Sequence, residues 1–527
     1  MTVKSNIKIK NEIRINRKFF NKCLWVAKLL IKNKQYENAS NYLQKLATFG
    51  WSNTTGYYVS WKLESLLHVL SKQIDYKCNT KKRKKDENGF KILHIATELY
   101  EIGGHTQLLF QWITNDKENF NEIVVTRQSI DDLPKNKIKK FGIDLSIFTS
   151  LVNSSILSKA LELRKMAENY DFVVFHIHPD DIIPVLAFST YHLPPVLFMN
   201  HADHIFWVGA SILDVLLQIT EEHIDLDKIR RNIIQKQCYL PIPITIKENT
   251  LDHLRIKKKL GIISDQFIML TIAEEYKIRP NYAYNFFNAI YPVLDKYSHI
   301  TLYIVGCRPD SDLAKKYNHK QINYLGRIEF TLLHEYEIIS DIIVESMPLG
   351  SYTADLECMA LGKVVHFGYA SFISIYPIIC TDSIKNWQLQ LEKLINDHAY
   401  RQELGRDQFE YVKSNYGIDT WRIRLKNIYG DNSALTHNII LESPDNFWEG
   451  RDEINLRTLD FNLEIDYFSY TYELSFLNRL SIFAYFFLNK IPKNITKTTK
   501  KENISYVFPK AYRLRKFFTK TIVNINK

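Results

Sequence analysis

Long apolar runs are scarce. The longest near the C-terminal end, Leu480 to Leu488, is about half of the ~20 residues a membrane-spanning helix needs. The first twenty residues are basic but hold no uninterrupted apolar stretch, so a secretory leader is not expected and the chain is read as cytoplasmic. Cysteine is sparse too: Cys23, Cys78, Cys238, Cys307, Cys358 and Cys380 lie far apart, mostly in apolar surroundings, with no CxxC pair and no Cys/His zinc spacing. That pattern speaks against a disulfide framework and for free thiols. Neither a GxGxxG turn nor a GxxxxGK[ST] loop is present, which leaves a dinucleotide-dependent dehydrogenase or a P-loop enzyme unsupported.

Net positive charge is nearly absent from most of the chain. The formal net charge is +11, yet residues 490–527 alone carry eleven Lys and Arg against Glu502. The body is therefore nearly neutral, and a nucleic-acid-binding face, which needs a basic patch on the folded part, is not expected. The basic tail suits an anionic surface, so a peripheral position at the inner face of the cell membrane is the matching expectation.

At 527 residues the chain exceeds one hydrophobic core. Residues 1–76 carry apolar positions at three-and-four spacing in FFNKCLWVAKLLIKN, YENASNYLQKLATFGW and SWKLESLLHVLSKQI, which predicts a helical module with one tetratricopeptide-like pair. Residues 77–90 are a charged linker around KCNTKKRKKDENG. From there short Val/Ile/Leu/Phe runs alternate with helix-length segments: KILHIAT, EIVVTR, FVVFHIH and PVLFMNH within 91–240, then FIMLTIA, HITLYIVG, INYLG, DIIVES and KVVHF within 241–430. Buried strands with helical crossovers predict two successive doubly wound, Rossmann-like α/β domains. Residues 431–527 form an aromatic-rich extension ending in the basic tail, of no legible architecture.

Polar chemistry gathers where these strands end. FVVFHIHPDD delivers His176, His178, Asp180 and Asp181, and FMNHADHIFWVG delivers Asn200, His201, Asp203 and His204. In an open α/β sheet, ligands sit at the carboxyl ends of strands, so these groups point at one cleft. A metal held by His201, Asp203 and His204 is not expected, since no further ligand stands at a characteristic spacing. In HIATELYEIGGHTQLL, Gly103 and Gly104 open a helix and allow close backbone approach to an anion. Further on, SMPLGSYTADLECMALG places Gly350, Ser351 and Thr353 before a helix, with Thr353 expected as its N-cap and Glu357 one turn later. AEEYKIRPN supplies Lys277 and Arg279 beside that helix start, two cations suited to a diphosphate.

The early GGH turn, NHADHIFW, CYLPIPI at 238–244, TADLECMALGKVV and the closing segment KLINDHAYRQELGRDQFEYVKSNYG together resemble the GT-B glycosyltransferases of the group 1 kind over about residues 91–430. The resemblance implies two Rossmann-like domains facing a cleft. A nucleotide-sugar co-substrate, UDP- or GDP-linked, is held mainly by the second domain, and no metal or other cofactor is obligatory. The acceptor is a glycan, a lipid-linked glycan or a protein. It implies that Glu357 contacts the ribose, that Lys277 and Arg279 hold the diphosphate with Ser351, Thr353 and Gly350, and that Gly103 and Gly104 lie beneath the phosphates. His201 lies against the transferred sugar, oriented by Asp203 or His178. One departure is plain: the first acid of the paired-glutamate motif falls at Leu349, so the sugar-side carboxylate is absent or moved to Glu345 or Asp355. A helical module ahead of PLGSYTADLE is also similar to the inverting O-GlcNAc and adhesin-glycosylating transferases, which modify polypeptides. A degenerate module that only binds a glycan or partner is the non-enzymatic alternative.

Overall fold

The computed structural model describes residues 3–74, 76, 89–101, 103–221, 223–246, 252–280, 284–368 and 383–447. The basic tail at 490–527 and most of the charged linker lie outside the described residues. The chain divides into two compact units, one formed by residues up to Tyr239 together with the segment from Asn432, the other by Leu240–Asp431.

The first unit opens with α1 (Val3–Lys32), α2 (Tyr36–Ser52) and α3 (Trp61–Ser71). It continues through β1 (Lys91–Ala96), α4 (Gly104–Asn115), β2 (Phe120–Val125), α5 (Lys135–Phe141), β3 (Phe148–Ser150), α6 (Ile156–Ala167), β4 (Phe172–His176) and α7 (Ile182–Phe188). It ends with β5 (Val196–Asn200), β6 (Val215–Gln218), α8 (His223–Arg231) and β7 (Lys236–Tyr239). All seven strands are parallel, in the order β3-β2-β1-β4-β5-β6-β7. β4 and β5 are buried at every position, as a strand covered on both faces requires.

Alternation assigns the two faces. Ala96, Ile123 and Val125 pack with Leu109 and Phe110 of α4, whereas Leu93, Ile95, Val124, Val173 and Phe175 join a core that runs without a break into α1–α3. Phe20 meets Phe206 edge-on at 5.8 Å, and Gly50 lies so close to Phe206 that a Cβ there would sit 2.9 Å from its ring. At about 2 kcal/mol for each fully buried large apolar side chain, this shared core makes the three helices a layer of the unit. The segment after Asn432 returns to the same unit, where His437 pairs with Asp214 at 2.8 Å and Asp445 accepts from the Trp61 N–H at 2.6 Å.

The second unit runs α9 (His253–Lys259), β8 (Phe267–Ile272), α10 (Glu275–Ile278), α11 (Phe286–Lys296), β9 (Ile300–Val305), α12 (Asp312–Lys316), β10 (Ile322–Gly326) and α13 (Phe330–Ile339). β11 (Ile342–Val344), α14 (Thr353–Ala360), β12 (Val365–His366), α15 (Ile384–Asn396), α16 (His398–Tyr416) and α17 (Ile418–Asn432) complete it. Its five parallel strands lie in the order β10-β9-β8-β11-β12. In both sheets the chain winds outward from the first strand and then resumes on that strand's other side. The topological switch point therefore falls between β1 and β4 in one unit and between β8 and β11 in the other, the two places where an open α/β sheet opens a crevice.

Candidate functional site

At the switch point of the first unit, four polar side chains form a diagonal across adjacent strands. Asn121 of β2 lies opposite Ile92, two residues before His94 on β1. His94 lies opposite Val174, two residues before His176 on β4. Phe175 lies opposite Phe198, and continuing that register places His201 two residues beyond the partner of His176. Side chains two residues apart share a face, so the four line up on the side covered by α4. Asn121 Oδ1 is 2.8 Å from His94 Nε2, His94 Nδ1 is 3.1 Å from His176 Nε2, and His176 Nδ1 is 3.0 Å from His201 Nε2. Trp112 of α4 packs edge-on against both His94 and His176, at 5.5 Å each.

Burial pushes all three imidazoles toward the neutral form. His94 falls to about 4, and His176 and His201 are held well below the usual histidine range, with neighbouring imidazoles adding to the effect. His105, in the first turn of α4, stands 4.5 Å from the His201 ring and holds the His176 carbonyl through Nε2 at 2.7 Å. His178 stacks on Tyr100 at 5.9 Å, with Trp51 of α2 at 6.1 Å. Gly103 and Gly104 are exposed at the start of α4, and Gly103 takes φ +131°, a backbone that side-chain-bearing residues rarely adopt.

The remaining polar groups of these strand ends hold the structure together. Asp181 accepts from Thr97 at 2.7 Å and from Thr126. Asp180 accepts from Thr48 of α2 at 2.6 Å and pairs with Arg127 at 3.2 Å. Asp203 pairs with His204 at 2.9 Å and with His223; burial opposes its charge, yet these two imidazoles keep its carboxyl well below the usual range. Arg231 donates to the carbonyls of Asp203 and Ile205 at 2.8 and 2.7 Å, and Asn200 is tied to Asp227 at 2.9 Å. The stretch NHADHIFW is thus a structural knot that leaves His201 half-buried at its edge and His204 partly exposed.

At the other switch point, β8 leads into α10 and β11 leads into the loop before α14. Lys277 of α10 directs its ammonium at the Gly350 carbonyl (3.2 Å) and Ser351 Oγ (3.4 Å), and its carbonyl accepts from the Leu349 N–H at 3.2 Å. Ser346 fastens the loop through the Leu349 carbonyl at 2.6 Å. Beneath the loop lie two buried carboxyls. Glu345 accepts from the Gly368 N–H at 2.7 Å, and it sits so close under Gly350 that a Cβ there would be 2.2 Å from Oε1. Asp355 is buried, and its Oδ2 has no hydrogen-bond partner among the described residues. Burial raises both above the ordinary carboxyl range and each raises or is raised by its neighbour's charge, while Lys277 pulls both back. Burial in turn lowers Lys277.

No family model matches this sequence, and no curated protein does. Among solved structures it is similar to the Anabaena protein HepE in complex with UDP, at 12% identity and a TM-score of 0.50, over 65% of this chain and 100% of that one. A glycosyltransferase from Rickettsia africae is similar at 12% identity and a TM-score of 0.52, over 65% of this chain and 98% of that one. The fold is GT-B. It is the class expected from the alternating strands and helices, with two parallel sheets flanked by helices.

Placed on this GT-B frame, some residues singled out from the sequence come together and others do not. Lys277, Gly350, Ser351 and the start of α14 form one seat. Arg279 does not join it: its guanidinium is exposed and pairs with Glu275 at 2.9 Å, because the short turn of α10 sends residues 277 and 279 in different directions. Thr353 is the first helical residue; Tyr352 occupies the cap position, and its side chain makes no capping hydrogen bond among the described residues. Glu357 is half-buried one turn further on. The side chain hydrogen-bonded to the His201 ring is His176, whereas Asp203 pairs with His204 and His223 and His178 stacks on Tyr100. Asn121 and His94 were not legible as site residues, since a histidine inside KILHIAT shows its partner only once strand register is known. Among the described residues no group of three or more His, Cys, Asp or Glu is arranged to hold a metal ion.

The buried carboxyl pair sets a pH dependence. The folded state favours the protonated forms of Glu345 and Asp355, whereas the unfolded chain ionises them near the usual carboxyl value of about 4. The folded state then binds more protons, so this contribution to stability is complete at acid pH and is lost as pH rises through the raised folded values. Glu345→Gln removes one of the two titrations. Its melting temperature relative to wild type is expected to rise from pH 5 to pH 8 (about 1 kcal/mol or more per pH unit removed); a constant difference across that range contradicts the assignment.

Proposed function

We propose that this chain is a glycosyltransferase that moves a sugar from a UDP- or GDP-linked donor to a hydroxyl of a cell-surface glycan. The observation that supports it is that polar groups gather at the switch point of each sheet: among the described residues, an imidazole with one nitrogen that has no partner in one unit, and a lysine seat beside the start of α14 in the other. In the reaction, the acceptor oxygen bonds to the anomeric carbon as the bond from that carbon to the diphosphate oxygen breaks. The electron pair leaves with the diphosphate, and the acceptor's proton passes to His201 Nδ1. Lys277 has three N–H donors, two of them turned to Gly350 and Ser351, and with the N-terminus of α14 it stabilises the departing charge. Glu357 takes the ribose. Tyr100, 44% exposed and stacked on His178, offers an aromatic face to an acceptor ring.

A polypeptide acceptor is the second reading, favoured by Leu349. A buried leucine stands where the paired-glutamate pattern has its first acid, which fits the inverting step above better than retention, and the inverting transferases that the helical module and PLGSYTADLE resemble are ones that modify polypeptides.

Thermal melting with a panel of nucleoside diphosphates tests the donor half of this reading. At 100 times its dissociation constant a ligand stabilises by about 2.7 kcal/mol, which for a unit of this size raises the melting temperature by roughly 5–10 °C. UDP or GDP is expected to produce that rise; no response to any nucleotide contradicts the proposal.

A further inference from the structure

The hydrogen-bonded diagonal from Asn121 to His201 has a direction, and Asn121 fixes it. Asn121 Nδ2 lies 3.1 Å from the Asp116 carbonyl, 3.4 Å from Asp116 Oδ2 and 3.3 Å from the Asn119 carbonyl. All three are acceptors, so the amide nitrogen belongs on that side and Oδ1 must face His94. An oxygen there only accepts, which makes His94 Nε2 the protonated nitrogen. A neutral imidazole carries one N–H, so His94 Nδ1 is a lone pair that accepts from His176 Nε2–H. By the same step, His176 Nδ1 accepts from His201 Nε2–H. Among the described residues, His201 Nδ1 has no partner and is left as the basic nitrogen.

The alternative arrangement turns every ring's proton round and sets the Asn121 oxygen against three other acceptors, two of them on Asp116. Among the described residues, no other hydrogen bond to the rings imposes that reversal; Trp112 meets His94 and His176 edge-on. His105 spends its Nε2 on the His176 carbonyl, and its buried Nδ1 has no partner among the described residues. His178 is stacked on Tyr100, and the Thr97 hydroxyl holds its backbone N–H at 2.8 Å. Lys137 of α5 donates to the Gly103 carbonyl at 3.3 Å.

We propose that Asn121, acting through His94 and His176, decides which nitrogen of His201 carries the proton, and so presents Nδ1 to the substrate. These three are positioning residues three strands deep, and only His201 meets the reactants. The catalytic consequence rests on the glycosyl-transfer reading; the placement of the proton does not.

Nitrogen-15 spectra of the full chain labelled at histidine, with the His201 signals found by difference against His201→Gln, read the proton directly. The wild type is expected to show Nε2 protonated and Nδ1 bare. Asn121→Lys places a donor at the head of the chain and is expected to move the His201 proton to Nδ1, with kcat for transfer lowered by about 100-fold or more and stabilisation by nucleotide retained. A wild-type proton on Nδ1, or an Asn121→Lys spectrum at His201 identical to wild type, overturns the relay. Absent transfer with the expected spectra overturns the enzymatic reading alone.

Discussion

His201→Ala is expected to lower kcat for sugar transfer by about 100- to 10,000-fold, the range for removing a general base, while leaving KM for the donor nearly unchanged. The ring is half-buried at the edge of the knot, so its loss removes one hydrogen bond from His176, about 1 kcal/mol, at a place water reaches. The unit stays folded and the base is gone. His201→Gln supplies His176 with a donor but no base, and is expected to be as slow as the alanine variant. The pH profile carries the same signature. Burial, with His105 and His178 nearby, holds His201 below the usual histidine value of about 6.5, so its neutral, accepting form persists into acid. The wild-type rate is expected to stay level from pH 8 to below pH 6.5 and to fall only at lower pH. A rate that halves at pH 6.5 or above, or an alanine variant within tenfold of wild type, contradicts this role.

Lys277→Met is expected to lower kcat/KM for the donor by about 100- to 1,000-fold, the loss seen when one group that stabilises leaving charge is removed, and to abolish the melting shift with nucleotide. Methionine keeps the buried stem, so the Leu349 and Gly350 loop retains its apolar support. Removing the ammonium takes the counter-charge from Glu345 and Asp355, whose carboxyls then rise further and remain protonated, so no unpaired buried charge is left to unfold the unit. Arg279→Ala is the informative comparison. Its exposed pair with Glu275 is of a kind that contributes about 0–1 kcal/mol, and it touches nothing in the seat. A larger loss of donor stabilisation in Arg279→Ala than in Lys277→Met would reverse the assignment of the diphosphate seat.

Which features were legible follows from how far each depends on distant contacts. The central strands show as apolar runs because covered strands need apolar residues on both faces, and KILHIAT, FVVFHIH and FIMLTIA sit within one or two residues of β1, β4 and β8. The strands β3, β6 and β7 were not separated out. β3 has three residues and β7 is half-exposed at the sheet edge, so neither needs a continuous apolar run. The gathering of polar groups at strand ends was legible, since FVVFHIHPDD and FMNHADH carry it in the sequence itself. The partners were not. Asp203 is two residues from His201 in sequence, but the loop pinned by Arg231 turns it toward His204 and His223, whereas His176 reaches His201 through strand register. Glu345 and Asp355, marked only as replacements for a missing acid, turn out to share one buried pocket of charge with Lys277, ten residues of chain apart from each other.

The most direct test is transfer itself: purified full-length chain, a panel of UDP- and GDP-sugars, and release of nucleoside diphosphate measured with and without glycan and polypeptide acceptors. Release from one donor class, stimulated by an acceptor and lost in both His201→Ala and Lys277→Met, is the expected result. A well-folded chain that releases no diphosphate from any donor, or one whose turnover is indifferent to both substitutions, contradicts it.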